Sequence, residues 1–500
     1  MKIGRVLILL VFLSLACNFP LTTPSVPQAA TPIGVTSPAT PTATFIPIHF
    51  PSATPTVVSG PSHPEDMFPY VVQAGDTLAA LATRFSTSVG DIVDHNPFLG
   101  PADQHTTLSP GQTLSIRLKL HPAWEKPTPI LPDPLFVNGP AQVSAVSLGR
   151  LIKSSNGWLK TYIDRTADRQ ATGAELVNEI VMNYSISPRL LLAILEYQLH
   201  ALSDPKPPKT FFLGYQGPNS AGFGSQLSWA ANTLNNGYYG WREGTQIQFS
   251  RLDGGMIVPN PEDNAGSVAL QYYFSRFLSA SDYQTAVSST GLISAYQNNF
   301  GQMDWDAMGG ASFIPPDLKQ PALTLPFQPG IKWVYTGGPH TGWGVGDPRA
   351  AVDFAPSANV AGCDPSSEWV VAMANGIVAR SENGVVILDL DGDGHTQTGW
   401  TIQYLHIFAK TAPAVGTPFK TGEAIGHPSC DGGHANGRHV HISRLYNGEW
   451  IPAAGTLPFN LGGWVVSQGE KEYDGTLTRG SQVVRSSIYG EFFSAITAEP

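Results

Sequence analysis

Gly437-Arg438-His439-Val440-His441-Ile442 is the stretch on which the reading of this chain turns. On a strand, residues two apart share a face, so His439 and His441 point the same way. Two imidazoles aimed together are costly to pack as core and natural around a cation. The pair alone is weak evidence, since polar strand faces carry such pairs by chance; its weight comes from company. Tyr404-Leu405-His406 offers a third histidine on a strand, in alternation with Tyr404. Gly338-Pro339-His340-Thr341-Gly342-Trp343 offers a fourth in a glycine-rich loop. Ala351-Val352-Asp353-Phe354-Ala355-Pro356 sets an aspartate inside an apolar strand, where an unpaired carboxylate is expensive.

Around these residues the chain reads as short strands and glycine turns: 369–374, 376–379, 385–390, 401–406 and 437–445. That pattern predicts an antiparallel β-domain over about 325–467. The loop Asp389-Leu390-Asp391-Gly392-Asp393-Gly394 carries the alternating carboxylates and glycine of a calcium site at Asp389, Asp391 and Asp393. Its twelfth position is Trp400, where a bidentate glutamate belongs, and a solvated hairpin turn fits better.

Together the histidines and the aspartate resemble the lysostaphin-type (LytM-like) zinc endopeptidases, which carry a His…Asp, a Tyr-x-His and a His-x-His in this order. The long loop from Thr341 to Val352 is nearest to their β-lytic, or staphylolytic, branch. The similarity runs from Gly337 to about Trp450 and includes Tyr446-Asn447-Gly448. The resemblance implies a zinc metallopeptidase with His340, Asp353 and His441 as ligands, and His406 and His439 as catalytic groups that are not ligands. Asp347, in a Gly-Asp-Pro turn, competes with Asp353 for the aspartate role. Three protein ligands leave a fourth position for water, as catalytic zinc requires. His427 and His434, in the approach to the His-x-His strand, either border the cleft or occupy surface loops.

The rest of the chain has other compositions. Five hundred residues exceed one core, and few charges beside 51 Gly and 43 Pro favour loops, turns and β-structure. A net charge of −10 argues against a nucleic-acid partner. Lys2 and Arg5, an apolar run from Val6 to Ala16, and Cys17 read as an export signal over 1–17. The run is too short to span a bilayer. Leu13-Ser14-Leu15-Ala16-Cys17 resembles a bacterial lipoprotein signal, which implies lipidation at Cys17; simple secretion is the other reading. Residues 18–67, rich in Pro, Thr, Ser and Ala, read as a disordered stalk. Export makes a disulfide between Cys363 and Cys430 reasonable, with a pair of free thiols as the alternative.

Residues 68–118 read as strand, helix, helix, strand. Tyr70-Val71-Val72 with Gly75-Asp76-Thr77-Leu78 at one end, and Pro110-Gly111-Gln112 with Leu114 at the other, resemble a LysM module. That resemblance implies binding to peptidoglycan or related N-acetylglucosamine glycans, with Asp76, Thr77 and Asn96 lining the groove; helix capping explains them equally well. A proline-rich linker then leads into a helical region, 144–309, with helices expected at 173–183, 188–202, 226–234 and 263–279. Its segment 186–198 resembles the acid-bearing helix of lysozyme-like transglycosylases. Gln198 stands where their glutamate belongs and Glu196 lies two residues earlier, so a lysozyme-like fold without its chemistry is expected, or a plain helical spacer.

The expectation is thus a multidomain α+β protein, outside the cytoplasm and lipid-anchored or secreted. It carries a LysM βααβ module, a helical middle domain, an antiparallel β metallopeptidase domain and a C-terminal extension over 468–500. Its expected activity is peptidoglycan endopeptidase; a catalytically silent wall-binding or regulatory lipoprotein is the alternative.

Overall fold

The computed structural model describes residues 67–499 except 74, 102–105, 107, 110, 118–123, 144–146, 166–169, 306–313, 316–317 and 358–361. The signal segment, Cys17 and the stalk to residue 66 lie outside the described residues.

The first strand, β1 (Met67–Val71), pairs antiparallel with β2 (Thr113–Arg117) around helices α1 (Leu78–Arg84) and α2 (Val89–His95). Alternate residues of each strand point inward, and Tyr70, Leu78, Leu81, Phe85, Ile92, Leu114 and Ile116 close a core of their own. Arg84 of α1 reaches out of this unit. Its guanidinium lies 4.5 Å over the Trp241 ring and donates to the Trp241 carbonyl at 3.0 Å. The module is therefore docked on the next unit.

That unit is mainly helical: α3 (Gly173–Tyr184), α4 (Pro188–Leu199), α5 (Phe223–Glu243) and α6 (Ala265–Ser275), with shorter helices and two small hairpins. A capping box of Thr172 and Glu175 starts α3. Helix α4 stops at Leu199, three residues earlier than expected, because His200 turns left-handed at φ 50° and its N–H bonds back to Glu196 and Leu195. Helix α5 outruns its expected nine residues at both ends to 21, with buried Asn235, Gly237 and Arg242 interrupting the apolar pattern that would have announced it. The proline-rich stretch read as a linker is not one: Ile130, Leu131, Leu135, Phe136 and Val137 are buried in this core.

The C-terminal half forms a nine-stranded antiparallel sheet. Its centre runs in the order β5 (Gly376–Glu382), β6 (Val385–Asp389), β7 (Trp400–Leu405), β8 (Val440–Tyr446), β4 (Ala351–Pro356) and β3 (Lys332–His340). The C-terminal extension belongs to this unit. Ala495–Thr497 pairs with β3, and Leu477, Val484 and Ile496 complete the core. Within it, β9 (Trp464–Gln468) and β10 (Gly475–Arg479) form a hairpin beside β3. Among the described residues no helix is long and apolar enough to cross a membrane.

The helical unit and the sheet share one hydrophobic cluster, since Ala350, Leu445 and Trp450 pack into the helical core. Trp450 donates its indole N–H to the Tyr184 carbonyl at 3.2 Å, and its backbone N–H to the Tyr239 hydroxyl at 3.1 Å. Arg242 sits between the two, ion-paired to Glu449 of the sheet and, at 2.9 Å, to Asp133. Glu243, next to it, keeps one buried carboxylate oxygen without a hydrogen-bond partner. Burial first, and Asp347 second, push its carboxyl up to about 8, against the pull of Arg349.

This yields a prediction with a definite sign. Below the unfolded pKa of about 4.5 the group is protonated in both states and costs nothing; the cost grows with pH and is complete above the folded value. Glu243→Gln is therefore expected to melt with the parent near pH 4.5 and to gain stability up to pH 8, by about 4 kcal/mol. Thermal melts from pH 4.5 to 8.5 measure this, and a gap that does not widen with pH contradicts it.

Candidate metal centre and active site

Asp353 lies in β4 directly opposite His441 of β8, and opposite Gly337 of β3 on its other side. Every residue of β4 is buried, which brings the carboxylate out of water. Gly337 makes the approach possible, since a Cβ there would stand 2.5 Å from Asp353 Oδ2. Beyond two register shifts in β3, His340 comes level with Ala351 and turns its ring to the same point.

The tautomers follow from their partners. His340 Nδ1 lies 2.8 Å from the Gly338 carbonyl and His441 Nε2 lies 3.1 Å from the Gly342 carbonyl. A carbonyl only accepts, so those nitrogens carry the protons. His340 Nε2 and His441 Nδ1 then face each other, lone pair to lone pair, at 3.0 Å. Each lies 3.3 Å from Asp353 Oδ1. That oxygen is buried and accepts no hydrogen bond. Three electron-pair donors converging on one point call for a cation between them. Tetrahedral zinc with Zn–N near 2.0–2.1 Å sets its ligand atoms about 3.3 Å apart, close to the separations here. The residues fit the metal.

His406 and His439 border the same point. Their rings lie 4.4 Å apart, and His439 Nε2 is 3.8 Å from Asp353 Oδ1. Both turn Nδ1 to backbone carbonyls, His406 to Asp431 at 3.1 Å and His439 to Gly437 at 2.8 Å, so that Nε2 of each is turned away from those carbonyls, that of His439 toward Asp353. His406 is not on its strand as expected. It follows the end of β7 in a left-handed conformation, φ 68°, while Tyr404 turns away to accept from the Met373 N–H at 2.8 Å. His439 likewise precedes β8 and makes an isolated bridge to Ser429. Burial first, then its histidine neighbours, lower the His406 pKa well below 6.5, so its ring is neutral at pH 7. A disulfide between Cys363 and Cys430 ties together the loops on the approach to His439.

The C-terminal extension contributes a residue that the sequence reading missed. Tyr473, in the turn between β9 and β10, lays its ring 4.2 Å over that of His340 at an interplanar angle of 20°. Its backbone holds the ligand loop, with the Gly338 N–H bonding to the Tyr473 carbonyl at 2.7 Å and the Tyr473 N–H to Pro339 at 3.2 Å. Burial first, then Asp353 and Glu472, push the phenol up to about 12, so it remains a donor. A lone tyrosine in a charged turn carries no motif.

Other candidates fall elsewhere. Asp347 accepts from Thr245 Oγ1 at 2.9 Å, outside the histidine cluster. His427 packs on Trp369 at 3.7 Å, and His434 is exposed. Asp389, Asp391 and Asp393 come close enough to hold an ion, yet Asp389 accepts the Asp391 and Gly394 N–H groups and Asp393 that of His395. That is a loop closing itself. In the first module Thr77 caps α1 through the Ala80 N–H at 3.0 Å. Asp76 takes the Tyr70 hydroxyl, the Gln73 N–H and Arg84, and Asn96 bonds both backbone groups of Ser115. All three side chains brace the module. Glu196, on α4, accepts from the Leu202 N–H at 2.7 Å and the Ser203 hydroxyl at 2.6 Å, and Gln198 accepts from the Tyr273 hydroxyl. Both are used to fasten the helix.

The chain is similar to several known proteins. Residues 129–310 match the family described as LasA, N-terminal domain, and residues 70–117 match the LysM domain. Protease LasA of Pseudomonas aeruginosa is 24% identical over 337 residues, covering 64% of this chain and 77% of LasA. The beta-lytic metalloendopeptidase of Achromobacter lyticus is 27% identical over 191 residues, 37% of this chain and 47% of its own length. Among solved structures, the deep-sea metalloprotease pseudoalterin shows 22% identity, covers 33% of this chain and 96% of its own, and has a TM-score of 0.29. With these two family matches and with LasA and the beta-lytic metalloendopeptidase among its relatives, the chain is a peptidase that also carries a LysM domain.

Proposed function

We propose that the protein is a zinc endopeptidase that hydrolyses peptide cross-links of peptidoglycan, held at the wall by its LysM module. The observation that carries the reading is the buried, hydrogen-bond-free oxygen of Asp353 facing two histidine lone pairs. His340 Nε2, Asp353 Oδ1 and His441 Nδ1 would hold the metal. Bound zinc supplies a hydroxide nucleophile near neutral pH and polarises the scissile carbonyl.

The side chains around it do the rest. Neutral His406 takes a proton on Nε2 from the attacking water and His439 beside it holds the water in line. As the carbonyl carbon becomes tetrahedral, the protonated phenol of Tyr473 donates to its oxygen. The C–N bond breaks, the proton passes to the leaving amine, and a carboxylate and an amine remain.

The stations before the peptidase support a cell-wall substrate. The LysM module is assigned to N-acetylglucosamine glycan, where Asp76, Thr77 and Asn96 act by holding its loops in shape. The disulfide suits an oxidising compartment, and the charged start, apolar run and Cys17 suit export with a lipid anchor. Glycan binding keeps the peptide at a raised local concentration.

The test is zinc content by mass spectrometry together with muropeptide release from purified sacculi, for the parent and His441→Ala. The parent is expected to hold one zinc and release peptides; the variant should do neither. Zinc without release redirects the reading to protein substrates, and no zinc leaves a silent wall-binding lipoprotein. Tyr473→Phe separates the phenol from the metal: kcat is expected to fall about 10²-fold with zinc content unchanged. An unaffected kcat removes Tyr473 from the chemistry.

A further inference from the structure

A cleft of about 490 Å³ opens on the helical unit, away from the histidine cluster. It is lined by Tyr215, Trp229, Asn232, Asn236, Tyr272 and Arg276, among others. We propose that it binds an oligosaccharide of acetamido sugars, the glycan strand of the substrate, as a site separate from the LysM module. The inference rests on the cell-wall reading and deepens it.

The walls are built to be rigid. Tyr215 and Trp229 present rings 6.3 Å apart and nearly parallel, at 22°. Trp229 is wedged against Tyr273 and Phe277, with centroids 5.9 and 6.1 Å away. The loop bearing Tyr215 is fastened by buried Gln226. Its Oε1 accepts the N–H groups of Leu213 and Tyr215 at 2.8 and 3.1 Å, while its Nε2 donates to the carbonyls of Tyr215 and Ser220 at 2.8 and 2.6 Å. Four bonds from one amide fix an aromatic platform before any ligand arrives, so little ordering cost falls on binding.

The lining chemistry selects the ligand class. Flat aromatic faces suit the C–H face of a pyranose, and the Arg276 guanidinium with the Asn232 amide N–H groups suits its hydroxyl and acetamido oxygens; the Asn236 amide is spent on the Val345 and Asp347 backbone. Arg276 lies 5.5 Å over the Tyr272 ring at the cleft's exposed edge. Among the described residues no carboxylate lines the cleft, so it lacks the pair of acids that glycan cleavage needs and would hold the strand intact. The volume lies in the ordinary range of ligand clefts, about 300–1,000 Å³.

The floor connects to the peptidase. Asn232 and Asn236, one turn apart on α5, accept the N–H groups of Val345 and Asp347 at 2.8 and 2.7 Å. Those residues lie in the loop between His340 and Asp353, so the glycan cleft and the ligand loop share a wall.

The test uses the full chain and a chitohexaose carrying a photoreactive diazirine, with labelled residues mapped by mass spectrometry. Labels are expected both in the LysM module and within 214–217 and 229–236. Tyr215→Ala and the exposed Arg276→Ala, each checked for an unchanged melting temperature, should lower cleft labelling roughly tenfold and leave LysM labelling alone. Labels confined to the LysM module overturn the cleft while the cell-wall reading stands. No label anywhere removes the glycan part of both. Cleft labelling that resists both substitutions, or yields to free stem peptide and not to unlabelled chitohexaose, also overturns it.

Discussion

A carboxylate buried opposite a histidine on the neighbouring strand is the constraint around which the catalytic half is arranged. Asp353 cannot be solvated where it lies, and what faces it are imidazoles whose protons already belong to backbone carbonyls. Such a group is costly unless something positive completes it. Each surrounding feature serves that completion. Gly337 leaves room for the carboxylate, the carbonyls of Gly338 and Gly342 fix the ring tautomers, and the turn around Tyr473 clamps the strand that carries His340. A strand face assembled for packing alone would have spent those lone pairs on N–H groups.

The helical unit is a wall of the peptidase as much as a neighbour to it. Trp450 comes from the end of the sheet yet lies in the helical core, and Arg242 from the end of α5 pairs with Glu449 one residue before it. A buried ion pair seldom adds net stability over apolar packing, but separating its members leaves two naked charges. The pair therefore acts as a register, penalising any arrangement in which the two halves part. The loop from Thr341 to Ala350 is gripped from the same side by Asn232 and Asn236, so the geometry of His340 depends on residues more than one hundred positions earlier.

Much of this was legible in the sequence where chemistry is local. The aspartate in an apolar strand is legible because an unpaired carboxylate there is costly, and the His-x-His and Tyr-x-His because residues so close in sequence must lie near one another, although His406 and His439 fall just outside their strands. The LysM pattern is readable because its turns demand particular residues at fixed places. Features made by distant segments left no local signature. Tyr473 reaches the site only because β9 and β10 form a hairpin beside β3, and neither its type nor its neighbours say so. The stretch around Ile130 to Val137 looked like a linker because prolines dominate it; its burial depends on helices lying more than forty residues later. His406 was placed on a strand by alternation, and the left-handed turn that redirects it is invisible in its residue type.

The position of the LysM module extends the same logic. A binding module on a flexible tether concentrates its substrate in a volume set by linker length, without choosing an orientation. Here Arg84 is buried against Trp241, and its ion pair with Asp76 at 2.8 Å connects that contact to the turn after β1. Gly75, in that turn, stands so close to Arg242 that a Cβ would lie 2.5 Å from its guanidinium. The arginine that pairs with the sheet thus also abuts the module. Docking of this kind turns local concentration into alignment: whatever the module holds stands at one angle to the helical unit, and through Arg242 and Glu449 at one angle to Asp353. For the cross-linked substrate proposed above that restriction is a gain, because the scissile bond in a mesh cannot reorient itself.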